Sequence, residues 1–467
     1  MKNYLFFFFL VPFVLASNSS YGAISLPSVI SNGMVLQQNS EVTLWGWAKP
    51  NEEVSITPGW NKQTVTVRAD INARWTASLV TPSAGGPYDI AFKASNFIVV
   101  TDVLVGEVWL CSGQSNMEWS AARGISGGDA AIEGANDPQL RFFSVANATA
   151  DGVQNDCNGS WTRSTPQTMK DFSAVAYFFG RKLRQTLNVP VALINASWGG
   201  TNIETWMDPQ WIGHKPSLVA AASKIPASEW FPTQPGKTFF SMIAPIIPFR
   251  LAGMIWYQGE SNLFNADSYA EFLTSMVEGY RSRWGYDFAF YYAQIAPYQY
   301  AQAIAGAVLR DEQRQALNSI SHSGMVVLSD VADLNDIHPR DKTTVGERFA
   351  SLALNRLYGF QNFPSSGPHY RAVKNEGTKI RVSFDDADDG LVCNAKELDG
   401  FYVASVDRVF YKAQAKIEGN SVVVWSREVK FPVAVRYAFD NIAIGNLFNK
   451  AGWPASCFRT DNWPVVF

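Results

Sequence analysis

The chain has 467 residues, an apolar fraction of 47%, a charged fraction of 17% and a formal net charge of -3. That length exceeds what one hydrophobic core usually fills, so two or three domains are expected. The near-neutral balance gives no electrostatic basis for a polyanionic partner and speaks against nucleic acid; with no CxxC and no HExxH, a zinc site has no support in the sequence either.

The first residues, MKNYLFFFFLVPFVLASNSSYGA, carry one lysine, an apolar run over residues 4–16 and then small and polar residues. This is the layout of an export signal spanning 1–23, cleaved near Gly22 or Ala23. The run is shorter than the roughly 20 residues that cross a bilayer. No later segment is long and apolar enough to span, so a periplasmic or secreted protein is expected. Export permits disulfides. Of the four cysteines, Cys393 and Cys457 are the expected pair, with Cys111 and Cys157 free.

From 24 to 103, short alternating runs such as EVTLWGWA and EVSITPGW are separated by Pro, Gly and Asn, which predicts the antiparallel strands of a small sandwich. From 104 to 363 the pattern changes. The apolar runs VGEVWLC, VPVALINAS, LAGMIWYQ, FAFYYAQIA and GMVVLSDVA read as buried parallel strands. Between and after them SAVAYFFGRKLRQTL, DSYAEFLTSMVEGYRSRW, LRDEQRQALNSI and TTVGERFASLALNRLYG read as helices, the first two with apolar positions three or four apart. Strand alternating with helix predicts an open, mostly parallel α/β sheet covered on both faces. From 364 to 467 short alternating runs return, a β-rich region expected to pack on the middle one.

The strands of the middle region end in polar clusters: SGQSN at 112–116, NASWGGTNIETW at 195–206, YQGESN at 257–262 and DLNDIHPRDK at 333–342. In a parallel sheet such ends converge on one edge, where sites form. Ester hydrolysis by a serine needs an imidazole to activate the alcohol and donors aimed at the developing oxyanion. Ser115, at a strand-to-helix turn, supplies the alcohol and a backbone N–H, and His338, held on an extended loop by Pro339, supplies the base. Gly199 and Gly200 allow a backbone N–H to approach a ligand closely, and Gln258 or Asn262 offer side-chain donors. Taken singly, each piece reads as a turn or a solvated loop; their joint placement at successive strand ends points to a catalytic site.

The blocks CSGQSNMEW, NASWGGTNIETW, WYQGESN and NDIHPRDK, in that order, resemble those of the sialate O-acetylesterases within the SGNH (GDSL-like) hydrolases. The resemblance extends to LRDEQ and to the tail FRTDNWP. It implies a three-layer α/β/α sandwich, Ser115 as nucleophile and His338 as general base and then acid. It further implies an oxyanion hole from Ser115, Gly200 and Gln258, and no cofactor. One departure concerns the acid: the superfamily's DxxH has Asn335 in place of its aspartate. Three readings remain: Asp336 orients His338, Glu260 does so from the neighbouring block, or the pair works as a dyad.

The implied substrate is an O-acetylated sialic acid or related sugar, with a plant-polysaccharide acetylesterase such as a xylan esterase as one alternative and a non-catalytic carbohydrate-binding protein as another. With 16 Trp and 17 Tyr the chain has flat apolar faces for sugar rings. Trp119, Trp198 and Trp206 are expected near the site, Gln114, Asn116 and Asn262 against the sugar, and Arg310 on a substrate carboxylate.

Overall fold

The structure is a computed structural model that describes residues 23–387 and 389–465. The expected export signal lies, through residue 22, outside the described residues.

One strand organises the molecule. Phe97–Gly113 is 17 residues long. Its first half pairs antiparallel with the strand Gly85–Lys93, and its second half runs parallel to Val191–Ser197 on one side and to Gly253–Tyr257 on the other. The chain thus passes from the N-terminal strands into the central sheet without a linker. Val108 and Leu110 point into one core, Trp109 and Cys111 into the other, as the period-two geometry of a strand buried on both faces requires.

Outward from that strand the central sheet continues through Ala289–Ala293 to Ser323–Val326 on one flank, and through Asp137–Val145 to Gly159–Ser164 on the other. All of these pairings are parallel except the last. The strands at 137–145 and 159–164 were not singled out from the sequence; Asp137–Val145 carries the Arg141 that pairs with Asp102, and this polar content masks its buried Leu140, Phe142 and Phe143.

Helices cover both faces. Tyr269–Trp284 and Ala305–Ala316 pack in one core through Phe272, Leu273, Met276, Val308 and Leu309. Ala174–Leu187 and Lys342–Arg356 pack in the other through Val175, Phe179, Val345 and Phe349. The expected parallel α/β architecture is therefore present. No helix among the described residues is long and apolar enough to cross a membrane.

The N-terminal strands form a pair, Glu41–Trp47 with Arg74–Val80, beside a sheet built on Glu53–Pro58 and Gly85–Lys93; the side chains packed between them include Leu44, Trp75, Ile56 and Phe92. The C-terminal strands enclose a separate core around Val382, Phe401, Val422, Tyr437 and Phe458. The expected Cys393–Cys457 disulfide is not formed: both thiols are free, and Cys457 is buried with its Sγ 3.8 Å from the Ala307 carbonyl. Packing against the Ala305–Ala316 helix occupies the sulfur that a disulfide would need.

Candidate active site

The strand Phe97–Gly113 is the point at which the order of the sheet reverses, because its two neighbours lie on opposite sides and their following loops diverge. Such a crevice is where parallel sheets bind ligands. Gly113 opens it. Its φ is +139°, and a Cβ there would lie 2.1 Å from the Tyr257 carbonyl, so only glycine lets the two strand ends pass this closely. The chain then turns into a short helix, Ser115–Glu118.

Ser115 Oγ lies 2.9 Å from His338 Nε2, joining residues 223 apart in the chain. This is hydrogen-bond distance for a nucleophile and its base. The imidazole is stacked against the Trp119 indole with ring centroids 4.2 Å apart and an interplanar angle of 23°. Burial, and then the nearby Lys342 ammonium, hold His338 below its ordinary value of 6.5. It is therefore unprotonated at neutral pH, as a general base must be.

Asp336 is the carboxylate that faces this imidazole. Its Oδ1 accepts the His338 backbone N–H at 2.9 Å and lies 3.6 Å from Nδ1, an ion-pair distance rather than a hydrogen bond. Its Oδ2 accepts from Arg340 Nε at 2.9 Å. Against its partial burial, these donors keep Asp336 below the usual carboxylate range. Asn335, at the DxxH position, is exposed and its Oδ1 takes a hydrogen bond from Gln299. A tight turn from Asp333 to Asp336 moves the acid one residue along.

Glu260 turns elsewhere. Its Oε1 accepts from Asn116 Nδ2 at 2.7 Å, while Oε2 is buried without a hydrogen-bond donor. Asn116 also donates to the Ile337 carbonyl at 3.1 Å, and its Oδ1 accepts from Lys342 Nζ at 2.6 Å. Burial raises Glu260 and pushes Lys342 down to about 7, each partly opposed by the other's charge. Asn116 is fully buried and supports the site from beneath instead of touching a sugar.

The glycine that lies against the nucleophile is Gly199, where a Cβ would fall 3.3 Å from Ser115 Cβ; its N–H donates to Glu118 Oε2 at 3.2 Å. Gly200, at φ +82°, has the Phe231 ring where a Cβ would stand. Among the described residues, neither the Gly200 N–H nor the Ser115 N–H has a hydrogen-bond acceptor. Gln258 does not fit the oxyanion role expected of it. It is fully buried, and its Nε2 donates to Thr201 O at 3.2 Å and to Asn262 Oδ1 at 2.8 Å.

Asn262 is equally committed. It accepts from Ile203 N and donates to Glu204 and Asn265, within a buried cluster where the Glu204 carboxylate receives three carboxamides. Arg310 is buried, and its Nη2 donates to the carbonyls of Ala438 and Asp440, so it fastens the C-terminal strands and is closed to a ligand. Trp206 is fully buried against Trp256, whereas Trp198 stays half-buried beside the two glycines. Gln114 accepts the N–H groups of Gly259 and Ser261, and its Nε2 donates to no described residue.

Two exposed cations that the sequence did not single out stand at the rim. Arg123 and Arg340 lie over the Trp119 ring at 5.6 and 5.4 Å, with about half of each side chain exposed. They come from blocks 217 residues apart, joined by an Arg340 Nη1 hydrogen bond to the Arg123 carbonyl at 2.9 Å, so sequence spacing carries no trace of their proximity.

Residues 105–355 match the family described as carbohydrate esterase, sialic acid-specific acetylesterase. The sialate O-acetylesterases of Homo sapiens and Pongo abelii are each 29% identical over 399 residues, covering 77% of this chain and 76% of theirs. The crystal structure of a carbohydrate acetylesterase from Xanthomonas citri is 34% identical, with 94% of this chain and 100% of that one covered and a TM-score of 0.86. A hydroxyl against an imidazole, at the switch point of a parallel sheet, is what a carboxylic-ester hydrolase of this kind requires. The chain belongs to the sialic acid-specific acetylesterase family of carbohydrate esterases.

Proposed function

We propose that this carbohydrate O-acetylesterase removes acetyl groups from sialic acid or a related sugar through an acetyl-Ser115 intermediate. The observation that carries the mechanism is the 2.9 Å contact between Ser115 Oγ and His338 Nε2. Oγ attacks the acetyl carbonyl carbon while Nε2 takes its proton; the carbonyl oxygen becomes an oxyanion facing the free N–H groups of Ser115 and Gly200. Collapse breaks the ester bond, and the His338 imidazolium gives its proton to the departing sugar oxygen, which leaves as a hydroxyl. Water, deprotonated by the same imidazole, then releases acetate and restores the serine.

In this reading Asp336 orients and stabilises the imidazolium, Trp119 fixes the ring plane, and Glu260 acts only through Asn116. The rim guanidinium groups of Arg123 and Arg340 suit the carboxylate of a sialic acid. The relative from Xanthomonas citri is described as a carbohydrate acetylesterase with no sugar specified, so a xylan or other plant-polysaccharide ester stands as the alternative substrate. We further propose that residues 1–23 act as an export signal and that the enzyme works outside the cytoplasm.

Ser115→Ala and His338→Ala should each lower kcat for 4-nitrophenyl acetate by about a thousandfold or more; wild-type turnover by the alanine variant at 338 would remove the base from the mechanism. Asp336→Asn should cost roughly ten- to a hundredfold in kcat, and Glu260→Gln less than about tenfold. The reverse order in steady-state assays would assign the acid to Glu260.

The base works unprotonated, so kcat/KM falls as pH drops through the His338 pKa, below 6.5. Lys342→Met removes a cation that disfavours the imidazolium. The acid limb of the pH profile should therefore move to higher pH, and an unmoved limb would show that the charge does not reach the ring. Arg123→Ala should raise KM for O-acetylated sialic acid several-fold and leave that for acetylated xylo-oligosaccharide unchanged; equal effects on both would favour the neutral polysaccharide.

A further inference from the structure

The loop between the helix Pro216–Ala222 and the turn Phe239–Ile243 carries an aromatic side chain that folding leaves unused. Trp230 is 88% exposed, more than any other large apolar side chain among the described residues. Tryptophan is highly buried on average, so an indole almost wholly in water stands out as a surface for something else.

The loop that carries it is anchored beside the active site. Phe231, the next residue, lays its ring on the α-carbon of Gly200, and Gly199 beside it lies against Ser115. The loop is held to the same block further on: Asn202 Nδ2 donates to Thr233 O at 3.1 Å, and Gly236 N–H donates to Glu204 O at 3.1 Å. Its tip is also braced, with the Trp230 N–H on Ser228 Oγ at 3.1 Å. Pro226, Pro232 and Pro235 restrict the backbone, and Pro232 keeps Phe231 extended. An exposed indole on a stiff, anchored loop loses little freedom when a ligand settles on it.

We infer that Trp230 is a sugar-stacking platform for a ring linked to the acetylated one, so that the substrate is a glycan and not a free monosaccharide. The indole presents a flat apolar face with one N–H at its edge, which matches the C–H face and the hydroxyl rim of a pyranose. The acetylated ring would sit over Ser115 between Trp198 and Trp119, and the neighbouring ring would extend past Gly200 and Phe231 onto Trp230. This rests on the carbohydrate-ester reading above and adds a second subsite to it.

The test compares full-length wild type with Trp230→Ala and Trp230→Phe on 4-nitrophenyl acetate and on two matched pairs. These are O-acetylated sialic acid, free and within a trisaccharide, and acetylated xylose against acetylated xylotriose. In the pair that the wild type turns over, the trisaccharide should be preferred. Trp230→Ala should lower its kcat/KM about tenfold, mainly through KM, and abolish the preference. Trp230→Phe should recover a substantial part of it, and 4-nitrophenyl acetate should be cleaved at the wild-type rate by all three. An undiminished trisaccharide preference in Trp230→Ala, or an equal loss on monosaccharide and trisaccharide, would overturn the subsite while leaving the esterase intact. Hydrolysis of 4-nitrophenyl acetate with no turnover of any sugar ester by the wild type would overturn the carbohydrate reading, and the subsite with it.

Discussion

One buried carboxamide holds the reactive pair together. Asn116, adjacent to Ser115, donates to Glu260 and to the carbonyl of Ile337, and accepts from Lys342. Those partners lie 144, 221 and 226 residues away, in the loop that contains YQGESN and on either side of His338. A fully buried amide with its hydrogens and its oxygen all used has one satisfied geometry, and any movement of the histidine loop would leave polar atoms unpaired in a dry interior. The loop that carries the base is thereby tied directly to the turn that carries the nucleophile.

The same economy extends through the other blocks. Glu204 gathers Asn202, Asn262 and Asn265, and Asn262 in turn receives Gln258, so the second and third strand-end loops are fastened to each other below the reactive surface. Burial disfavours the Glu204 carboxylate, and the carboxamides that surround it offset part of that penalty. Most polar residues in these blocks are therefore supports. The groups left to meet a substrate include the Ser115 hydroxyl against its imidazole, two backbone N–H groups and the Gln114 amide, ringed by half-exposed side chains that are themselves partnered.

The flanking β segments take part in this rigidity. Because Phe97–Gly113 belongs to both the N-terminal sheet and the central one, the turn bearing Ser115 is the end of a strand anchored along 17 residues. On the other side, Arg310 and Asn441 tie the C-terminal strands to the Ala305–Ala316 helix and the loop before it. Both attachments stiffen the sheet.

The sequence alone determined the alternation of buried strands and amphipathic helices, hence the parallel α/β sheet, because periodicity is a local property of side-chain burial. It also determined that Ser115 and His338 would end up at one edge, since strand ends in such a sheet share a side. What it could not determine was which polar side chains face inward. Gln258, Asn262, Arg310 and Trp206 read as ligand contacts but are consumed by partners 4 to 130 residues away. Asp336 over Glu260 beside the imidazole, the rim pair Arg123 and Arg340, and the bare indole of Trp230 were decided by tertiary packing. Hydrogen-bond direction and solvent exposure depend on neighbours that are distant along the chain, and no local pattern encodes them.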